Sequence, residues 1–315
     1  MRSGPRKRQR GIALITAVIL VAIATVLATS IGFASAIAAR RASAVIGADQ
    51  ALLAAEGAEA MAAYVLRQSG ATTGQDSLDQ VWAQPYGPYA LAPGVSLQFA
   101  QIDDEQGKFN INNLAPGGVS DPLAIQQFQR LLGELGLETK WAGLMADWID
   151  ADNNPNEPDG AEDDTYLAQT PQYRTAGEPV SSISELMALP GFGHDRYERL
   201  APYISALPPG TPINVCTAKG LVLDAISGKT EYSTDSANLA ASRQQGGCFP
   251  GLAVFETSLS AQQQSQLVGR IAVHSSYFRL RTYITIGTAR FSLYSLLYLD
   301  GGGQIRPILR TFGTE

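Results

Sequence analysis

The chain has 315 residues, 45% of them hydrophobic and 17% charged, which is enough apolar sequence for one large domain or two smaller ones. Two histidines and two cysteines are too few for a zinc module built from those side chains. A formal net charge of −6 argues against a protein that binds nucleic acid through a broad basic surface.

The N-terminus combines a basic leader with a long apolar run. Residues 1–10 contain five basic side chains and no acid, and residues 11–39 contain no charged side chain. A membrane-spanning helix needs about 20 apolar residues, so this run is long enough to cross a bilayer. Only Arg40 and Arg41 follow it directly. This asymmetry predicts a cytoplasmic N-terminus, with the rest of the chain outside the cytoplasm.

Three kinds of segment share this pattern: a cleaved secretory signal, a plain signal anchor and a prepilin signal. A cleaved signal could end at residues 34–36, but the apolar run before them exceeds the about 7–15 residues usual there. The basic leader followed by Gly-Ile-Ala-Leu-Ile-Thr resembles the signal of type IV pilins and type II secretion pseudopilins. The resemblance implies that a prepilin peptidase cuts between Gly11 and Ile12, that Ile12 is then methylated, and that residues 1–11 are a removed leader.

Thr16 stands at the fifth position after the predicted cleavage, where most pilin-like subunits carry a glutamate. A glutamate inside the bilayer is costly and needs a partner charge, such as the N-terminal amine of a neighbouring subunit. A subunit without it has no buried carboxylate to satisfy. Thr16 therefore favours a place at the end of a filament.

Beyond the apolar run, the pattern predicts helix first and strands later. One long helix is expected over residues 12–68, with its transmembrane part at 12–39. A half-buried strand is expected around Leu97, and residues 109–112 are expected to pair with it after a turn. Three strands then form a C-terminal antiparallel meander, at residues 275–286, 289–299 and 303–310.

Helical patterns dominate the middle of the chain, so the predicted fold class is α+β. An all-α domain at residues 113–208 is expected to be inserted into a pilin-like head with an antiparallel sheet. The two parts of that head are residues 69–112 and 209–315. The long N-terminal helix is expected to pack on the head with its second half.

The middle segment contains a dense run of acids. Eight carboxylates and no basic residue occur within residues 147–164. Oxygen ligands without histidine or cysteine favour calcium or magnesium, and a flexible loop favours the larger calcium ion. Residues 150–154 begin like an EF-hand, but Pro155 and Ala161 occupy the sixth and twelfth positions, so we exclude that motif. A different calcium loop and a merely solvated acidic loop both remain open.

Four segments resemble the K-type minor pseudopilins, the GspK family of type II secretion: residues 147–150, 158–163, 181–186 and 213–218. The resemblance extends from the leader to the C-terminal meander. It implies assembly with I-type and J-type minor pseudopilins at the pseudopilus tip, and calcium bound in the inserted domain. The ligands that it implies are Asp150, Asp152, Asp159, Glu162, Asp163 and Asp164.

Cys216 and Cys248 are the two thiols, and the predicted topology places both outside the cytoplasm. An even pair in an oxidising compartment normally forms a disulfide, although two buried free thiols remain an alternative. Members of the family usually carry asparagine at the position of Cys216. We interpret this departure as half of a local disulfide.

Two other classes of function have partial support in the sequence. Residues 189–193 resemble the hairpin of helix-hairpin-helix modules, which suggests a minor type IV pilin that binds DNA or surfaces, but the hairpin is flanked by acids as well as by Arg196 and Arg199. A membrane-anchored calcium-dependent hydrolase would need a catalytic motif, and neither His194 nor His274 lies in one. The sequence favours a non-enzymatic minor pseudopilin, anchored in the bacterial inner membrane and not expected to bind nucleic acid.

Overall fold

The computed structural model describes residues 10–234, 236–243, 247–250, 252–257 and 259–313. Its first element is one continuous helix, α1 (Arg10–Thr73), whose 64 residues extend about 96 Å at 1.5 Å per residue. The helix begins before and ends after the expected bounds of 12–68. Its residues 13–69 are long and apolar enough to cross a membrane, and its most apolar stretch is fully exposed.

A five-stranded antiparallel sheet packs on α1 beyond the apolar run. In their order across the sheet, the strands are β1 (Tyr89–Ala92), β2 (Val95–Asp104), β7 (Tyr277–Ile286), β8 (Ala289–Leu299) and β9 (Ile305–Phe312). The strands β2 and β7 are neighbours although a long segment separates them in sequence. The last three strands form the predicted meander.

Small side chains let α1 approach this sheet closely. Ala51, Ala55, Ala62 and Leu66 are buried, and their spacing places them along one side of the helix. Ala55, Ala62 and Leu66 cover the apolar face of the sheet together with Trp82. The head therefore has its own core, formed by one helix and one sheet.

A buried acid fixes the position of α1 on this sheet. Glu59 lies on the buried side of the helix and is only 5% exposed. Its two carboxylate oxygens accept hydrogen bonds at 2.8 and 2.7 Å from the guanidinium of Arg310 in β9. Ser295 of β8 donates a further hydrogen bond to the same carboxylate.

Between β2 and β7 the chain forms a helical unit with a second core. Four two-residue strands make two small parallel pairs: β3 (Phe109–Asn110) with β4 (Ile204–Ser205), and β5 (Ile213–Asn214) with β6 (Ile271–Ala272). The helices are α2 (Pro122–Glu134), α3 (Trp141–Ile149), α4 (Asp163–Leu167), α5 (His194–Leu200), α6 (Gly220–Ser227), α7 (Ser236–Arg243), α8 (Leu252–Thr257) and α9 (Ala261–Leu267).

This second core extends further along the chain than the sequence suggested. Phe128, Trp141 and Phe192 from the predicted helical segment pack in one cluster with Phe255 and Leu267 from α8 and α9. The expected boundary at residue 208 is therefore not the edge of a core, because α6 to α9 bury their apolar side chains against the inserted helices and not against the sheet.

The segment after β2 also differs from expectation. Residues 109–112 were predicted to pair with the β2 strand, but Phe109 and Asn110 form β3 and pair with β4. The physical reason lies at the end of β2, where the Asp104 carboxylate accepts a hydrogen bond from the Gln106 backbone N–H at 2.8 Å and caps a short 3-10 turn. That turn directs the chain away from the sheet, and β7 takes the place beside β2.

The two ends of the helical unit meet at Asp104. Its Oδ2 accepts hydrogen bonds from Ser275 Oγ at 2.6 Å, Asn214 Nδ2 at 3.0 Å and Thr217 Oγ1 at 2.5 Å. Burial raises the pKa of Asp104 to about 6 in spite of these donors. The network joins the end of β2 to the segment that leads into β7.

Candidate metal centre and family

Three buried carboxylates meet between the end of α3 and the start of α4. Asp147, Asp150 and Glu162 each place one carboxylate oxygen within 4.8 Å of the others. Their exposed fractions are 0%, 2% and 5%. Because like charges repel strongly away from water, such a group requires bound protons or a cation. The cluster is therefore a candidate cation site made of hard oxygen donors.

Local backbone structure brings the loop back over α3. Asp147 lies in the last turn of α3, and Asp150 is its C-cap. The backbone N–H of Asn156 donates to the two carboxylate oxygens of Asp147 at 3.2 and 3.1 Å, and the Asn156 side chain donates to the same carboxylate. Residue 160 must be glycine, because a Cβ there would collide with Asp147 Oδ2 and with the Asn156 backbone.

Several oxygens of the cluster have no hydrogen-bond partner among the described residues. Asp150 Oδ2 accepts from Ser120 Oγ at 2.8 Å, whereas Asp150 Oδ1 and both oxygens of Glu162 are buried without a partner. Unpaired buried acceptors are costly, and oxygens left in this way are available to a cation. Calcium takes about six to eight oxygens, so backbone carbonyls and water would have to complete its shell.

Electrostatics in the cluster support this interpretation. Burial, followed by the charge of Asp147, raises the pKa of Glu162 to about 7. Burial is also the main reason that the pKa of Asp150 rises to about 6, and it raises the pKa of Asp147. A divalent cation would offset the repulsion that contributes to these shifts.

The six carboxylates expected from the sequence do not all join this cluster. Asp150 and Glu162 belong to it. Asp152 is exposed and accepts a hydrogen bond from the Asn154 backbone N–H at 2.8 Å, yet its charge contributes to the raised pKa of Asp150 and Glu162. Asp152 is therefore a neighbour of the three-carboxylate group and not a member of it.

The other three predicted ligands lie outside the group. Asp163 turns towards Arg174, with 2.7 Å between its Oδ2 and the guanidinium, and it also accepts from the Thr175 backbone N–H at 3.2 Å. Asp159 is half-buried and Asp164 is exposed. Neither carboxylate belongs to the group of buried oxygens that lie within 4.8 Å of one another.

Sequence reasoning placed Asp147 in the acidic run but not among the ligands. Its signal was present in the spacing, because residues three apart at the end of a helix lie on one side. Asp147 and Asp150 have this relation, and both contribute a carboxylate oxygen to the cluster with Glu162. The contribution of Glu162 from the far end of the loop follows only from the folded path of the chain.

Cys216 and Cys248 form a disulfide with a Cα–Cα distance of 4.4 Å. Both residues are buried in the core of the helical unit. The bond joins the segment before α6 to the loop between α7 and α8.

The basic side chains beside the 189–193 hairpin are engaged within the protein. The guanidinium of Arg196 donates to both carboxylate oxygens of Glu138 at 2.9 and 2.7 Å. Arg199 donates to the backbone carbonyl of Leu135. His194 lies 3.1 Å from Glu198 on the surface. These contacts favour a packing role for the hairpin over contact with a phosphate backbone.

At the other end of the molecule, the predicted processing site lies where α1 begins. Residues 1–9 of the leader are outside the described part of the chain, and Gly11 and Ile12 lie within the first turn of α1. Thr16, four residues further on, donates a hydrogen bond to the backbone carbonyl of Ala13 at 3.0 Å. Its hydroxyl is thus satisfied within its own helix.

Comparison with known proteins finds family matches for the N-terminal helix and for the inserted helical segment. Residues 107–209 match the family model for type II secretion system protein K, and residues 10–58 match the PilX N-terminal model. A type II secretion system protein K from Pseudomonas aeruginosa is 35% identical over 98% of this chain and 94% of its own length. The chain belongs to the type II secretion protein K family.

Other members of the protein K family align over a similar extent. The proteins from Klebsiella pneumoniae and Pectobacterium carotovorum are 32% and 31% identical over 97% and 98% of this chain. A chain of the crystal structure of the GspK-GspI-GspJ complex from enterotoxigenic Escherichia coli superimposes with a TM-score of 0.76 at 26% identity. The match covers 87% of this chain and 100% of that chain.

These matches confirm the predicted α+β fold and identify a minor pseudopilin of the type II secretion system. A pseudopilin with one long apolar N-terminal helix is a membrane-anchored component of the pseudopilus. The alignment with the Pseudomonas aeruginosa protein spans 98% of this chain and so includes both the sheet head on α1 and the helical unit inserted into it.

Proposed function

We propose that this protein K assembles with I-type and J-type minor pseudopilins and caps the tip of the type II secretion pseudopilus. The observation that carries the proposal is the match to the full length of one chain of the GspK-GspI-GspJ complex, over 87% of this chain. The protein works by assembly, and the exported proteins are folded substrates that the growing pseudopilus moves towards the outer membrane.

Co-purification tests this proposal. Full-length protein, co-expressed in one membrane with an I-type and a J-type partner, is expected to elute with both after detergent extraction. A major pseudopilin expressed in place of the two partners serves as the control and should not be retained to the same extent. If the major pseudopilin were recovered as well as the I-type and J-type partners, a specific tip assembly would be contradicted.

The helical unit and Thr16 together support a terminal position. The Thr16 hydroxyl is satisfied by Ala13 within its own helix, so this subunit brings no membrane carboxylate that must find a neighbour's amine. The inserted unit adds bulk beyond the sheet head. A subunit of this kind fits at the end of a filament better than at a repeated position along it.

Processing and location belong to the same proposal. The basic leader favours a cytoplasmic N-terminus, with the head in the periplasm and α1 held in the inner membrane. A prepilin peptidase then cuts between Gly11 and Ile12. Mass spectrometry of protein recovered from membranes should find methylated Ile12 at the N-terminus, and an N-terminus at residue 37 would contradict a pilin-type signal.

For the acidic cluster we propose calcium as the resident ion. Asp147, Asp150 and Glu162 would ligate it, with Asp152 near enough to add a carboxylate or hold a water ligand. Calcium would supply positive charge that neutralises the cluster and would fasten the loop between α3 and α4. The buried oxygens without partners at Asp150 and Glu162 support this assignment.

A further inference from the structure

A cleft with a volume of about 520 Å³ lies where the sheet head meets the helical unit. Arg279 and Arg281 of β7 line it from the sheet. Two further cations in its lining are Lys108, directly after the 3-10 turn at Glu105–Gly107, and Lys219, directly before α6. The volume lies within the about 300–1,000 Å³ that is usual for ligand pockets. The cleft therefore has the size of a binding site and four cationic side chains in its wall.

Three of these cations are paired with acids of the same cleft. Glu105 Oε1 lies 2.8 Å from Lys108 Nζ and 3.3 Å from Arg279 Nε, so two cations share one carboxylate. Arg281 Nε lies 2.7 Å from Asp103 Oδ2. Within these two groups the positive charges outnumber the negative charges by one.

A third acid of the cleft, Asp104, is held by neutral donors. Its carboxylate accepts hydrogen bonds from the Gln106 backbone N–H and from the side chains of Asn214, Thr217 and Ser275. Four cations against three acids leave the cleft with a net charge of +1, in a chain whose formal net charge is −6.

Lys219 is the cation that supplies this surplus. Its ammonium lies 4.7 Å from the centre of the Tyr203 ring and donates a hydrogen bond to the backbone carbonyl of Pro202 at 3.1 Å. Within the described part of the chain it forms no ion pair. Burial, followed by the positive charge of Lys108, lowers the pKa of Lys219, and the charge of Asp103 acts more weakly in the opposite direction. An anion beside Lys219 would offset this unfavourable environment.

The rest of the lining favours an anion with an aliphatic stem. Leu78, which is 47% exposed, Ala83 and Pro202 border the cleft beside the charged groups. A single surplus positive charge matches a carboxylate better than a doubly charged phosphate. Because Lys219 and Leu78 are both at the surface, a side chain can enter the cleft while its own backbone stays outside. A glutamate side chain meets these conditions.

We propose that the cleft binds a glutamate side chain of a partner protein. Lys219 pairs with the carboxylate, and Leu78 and Pro202 pack against the methylene groups. The occupant contacts the sheet head and the helical unit at the same time, because both line the cleft. The inference goes beyond the tip assembly proposed above and requires neither a bilayer nor bound calcium.

Fluorescence anisotropy with the full chain in a non-ionic detergent tests the site. The probe is the peptide acetyl-Ala-Leu-Glu-Ala-Ala-amide with an uncharged dye, and the same peptide with glutamine in place of glutamate is its control. We expect the glutamate peptide to bind about fivefold more tightly, which is the gain expected for one partly exposed ion pair. Added salt should reduce this difference.

Three variants locate the contact. Lys219→Gln should weaken binding of the glutamate peptide about fivefold and leave the glutamine peptide unchanged, since only the first has a charge to lose. Lys140→Gln is the matched control, because Lys140 is also exposed and lies 4.8 Å from the centre of the Trp141 ring but is not in the cleft. Asp103→Asn leaves Arg281 without its acid and should strengthen binding of the glutamate peptide by about twofold or more.

Other outcomes would overturn the inference. Equal affinity for the two peptides, or equal losses in Lys219→Gln and Lys140→Gln, would show that Lys219 does not recognise a carboxylate. Weaker binding by Asp103→Asn would also contradict an anion site, because the loss of an acid cannot weaken the attraction of a cleft for an anion. Butyrate is a free carboxylate with an aliphatic stem, and if it bound as tightly as the glutamate peptide, the cleft would be assigned to a small molecule and not to a protein.

Discussion

At the residue scale, the acidic cluster combines one carboxylate that accepts several hydrogen bonds with two others that have buried oxygens without a hydrogen-bond partner. Asp147 is held by Asn156, whereas Glu162 has both carboxylate oxygens buried without a partner. An arrangement of this kind keeps the loop near its final shape and leaves the ligand positions free. A cation that enters it would therefore stabilise the folded state by mass action.

Replacement of one ligand should separate calcium binding from folding. We expect Glu162→Gln to weaken calcium binding at least about tenfold, since it removes one of the three carboxylates at the centre of the cluster. Titration calorimetry on the detergent-solubilised chain measures the affinity directly. In excess chelator the melting temperature of the variant should be equal to that of the wild type or higher, because the substitution relieves repulsion there.

Asp164→Asn is the matched control for this experiment. Asp164 is an exposed acid of the same loop and lies outside the three-carboxylate group. The control removes the same charge and should change calcium affinity by less than about threefold, as expected for a screened surface charge. Equal losses of affinity in both variants would show that the loop attracts cations only through its net charge.

Asp104 gives the head a pH-dependent stability. Its pKa is about 6 in the folded state against an ordinary 3.8, so the folded state holds a proton that the unfolded chain has released. Its favourable contribution is complete below about pH 4 and is lost as the pH rises through about 6. The free energy lost is about 3 kcal/mol.

Asp104→Asn should remove this dependence, because an amide does not titrate. Denaturant unfolding of both proteins between about pH 4 and pH 7 in saturating calcium measures the effect, and the other titrating groups cancel in the difference. The wild type should lose stability relative to the variant as the pH rises. Parallel pH profiles would show that Asp104 remains ionised throughout.

The members of the acidic cluster were only partly predictable from the sequence. The acidic run and its oxygen chemistry were visible, and Asp150 and Glu162 lie in the cluster as expected. Asp163 could not be separated from them by sequence, because its pairing with Arg174 depends on how a distant segment passes the loop. The same applies to Gly160, whose necessity follows from the position of Asp147.

At the element scale, the contact between α1 and the sheet depends on one buried charge pair. Glu59→Gln should destabilise the head by about 2 kcal/mol, because the Arg310 guanidinium loses its charged acceptor. Chemical denaturation followed by tryptophan fluorescence measures the loss, since Trp82 lies in the same core.

Glu56→Gln provides the comparison within the same helix. Glu56 also faces Arg310, but at 3.8 Å and with its side chain 44% exposed. An exposed ion pair of this kind contributes about 0–1 kcal/mol. The Glu59→Gln substitution is therefore expected to lower the free energy of unfolding clearly more than Glu56→Gln does. Similar losses of stability in the two variants would contradict a specific role for the buried pair.

Long patterns in the sequence predicted elements well, and short ones did not. The apolar run and the alternating C-terminal strands have strong periodicity, and both appear as α1 and the β7–β9 meander. Helices α7 and α9 are short and rich in serine and glutamine, so their apolar side chains are too few to show a period. They are helical because their few apolar residues join the core of the helical unit.

At the scale of the whole molecule, the two cores should respond differently to calcium. The acidic cluster lies in the helical unit, and the sheet head has a core of its own. Removal of calcium by a chelator should speed amide hydrogen exchange in α3 and α4 while β7 and β8 remain as protected as before. Hydrogen exchange with mass spectrometry tests this, and equal loss of protection in both parts would indicate one cooperative unit.

The hydrogen bond between Asp104 and Ser275 has a consequence for how the chain folds. These residues are 171 positions apart, and β2 cannot pair with β7 until they meet. Closing an unstructured loop of that length costs about 4–5 kcal/mol. Once the helical unit has folded, its two ends already lie side by side, and most of that entropy has been lost before pairing begins. We therefore expect the inserted unit to fold first and to nucleate the sheet that surrounds its two ends.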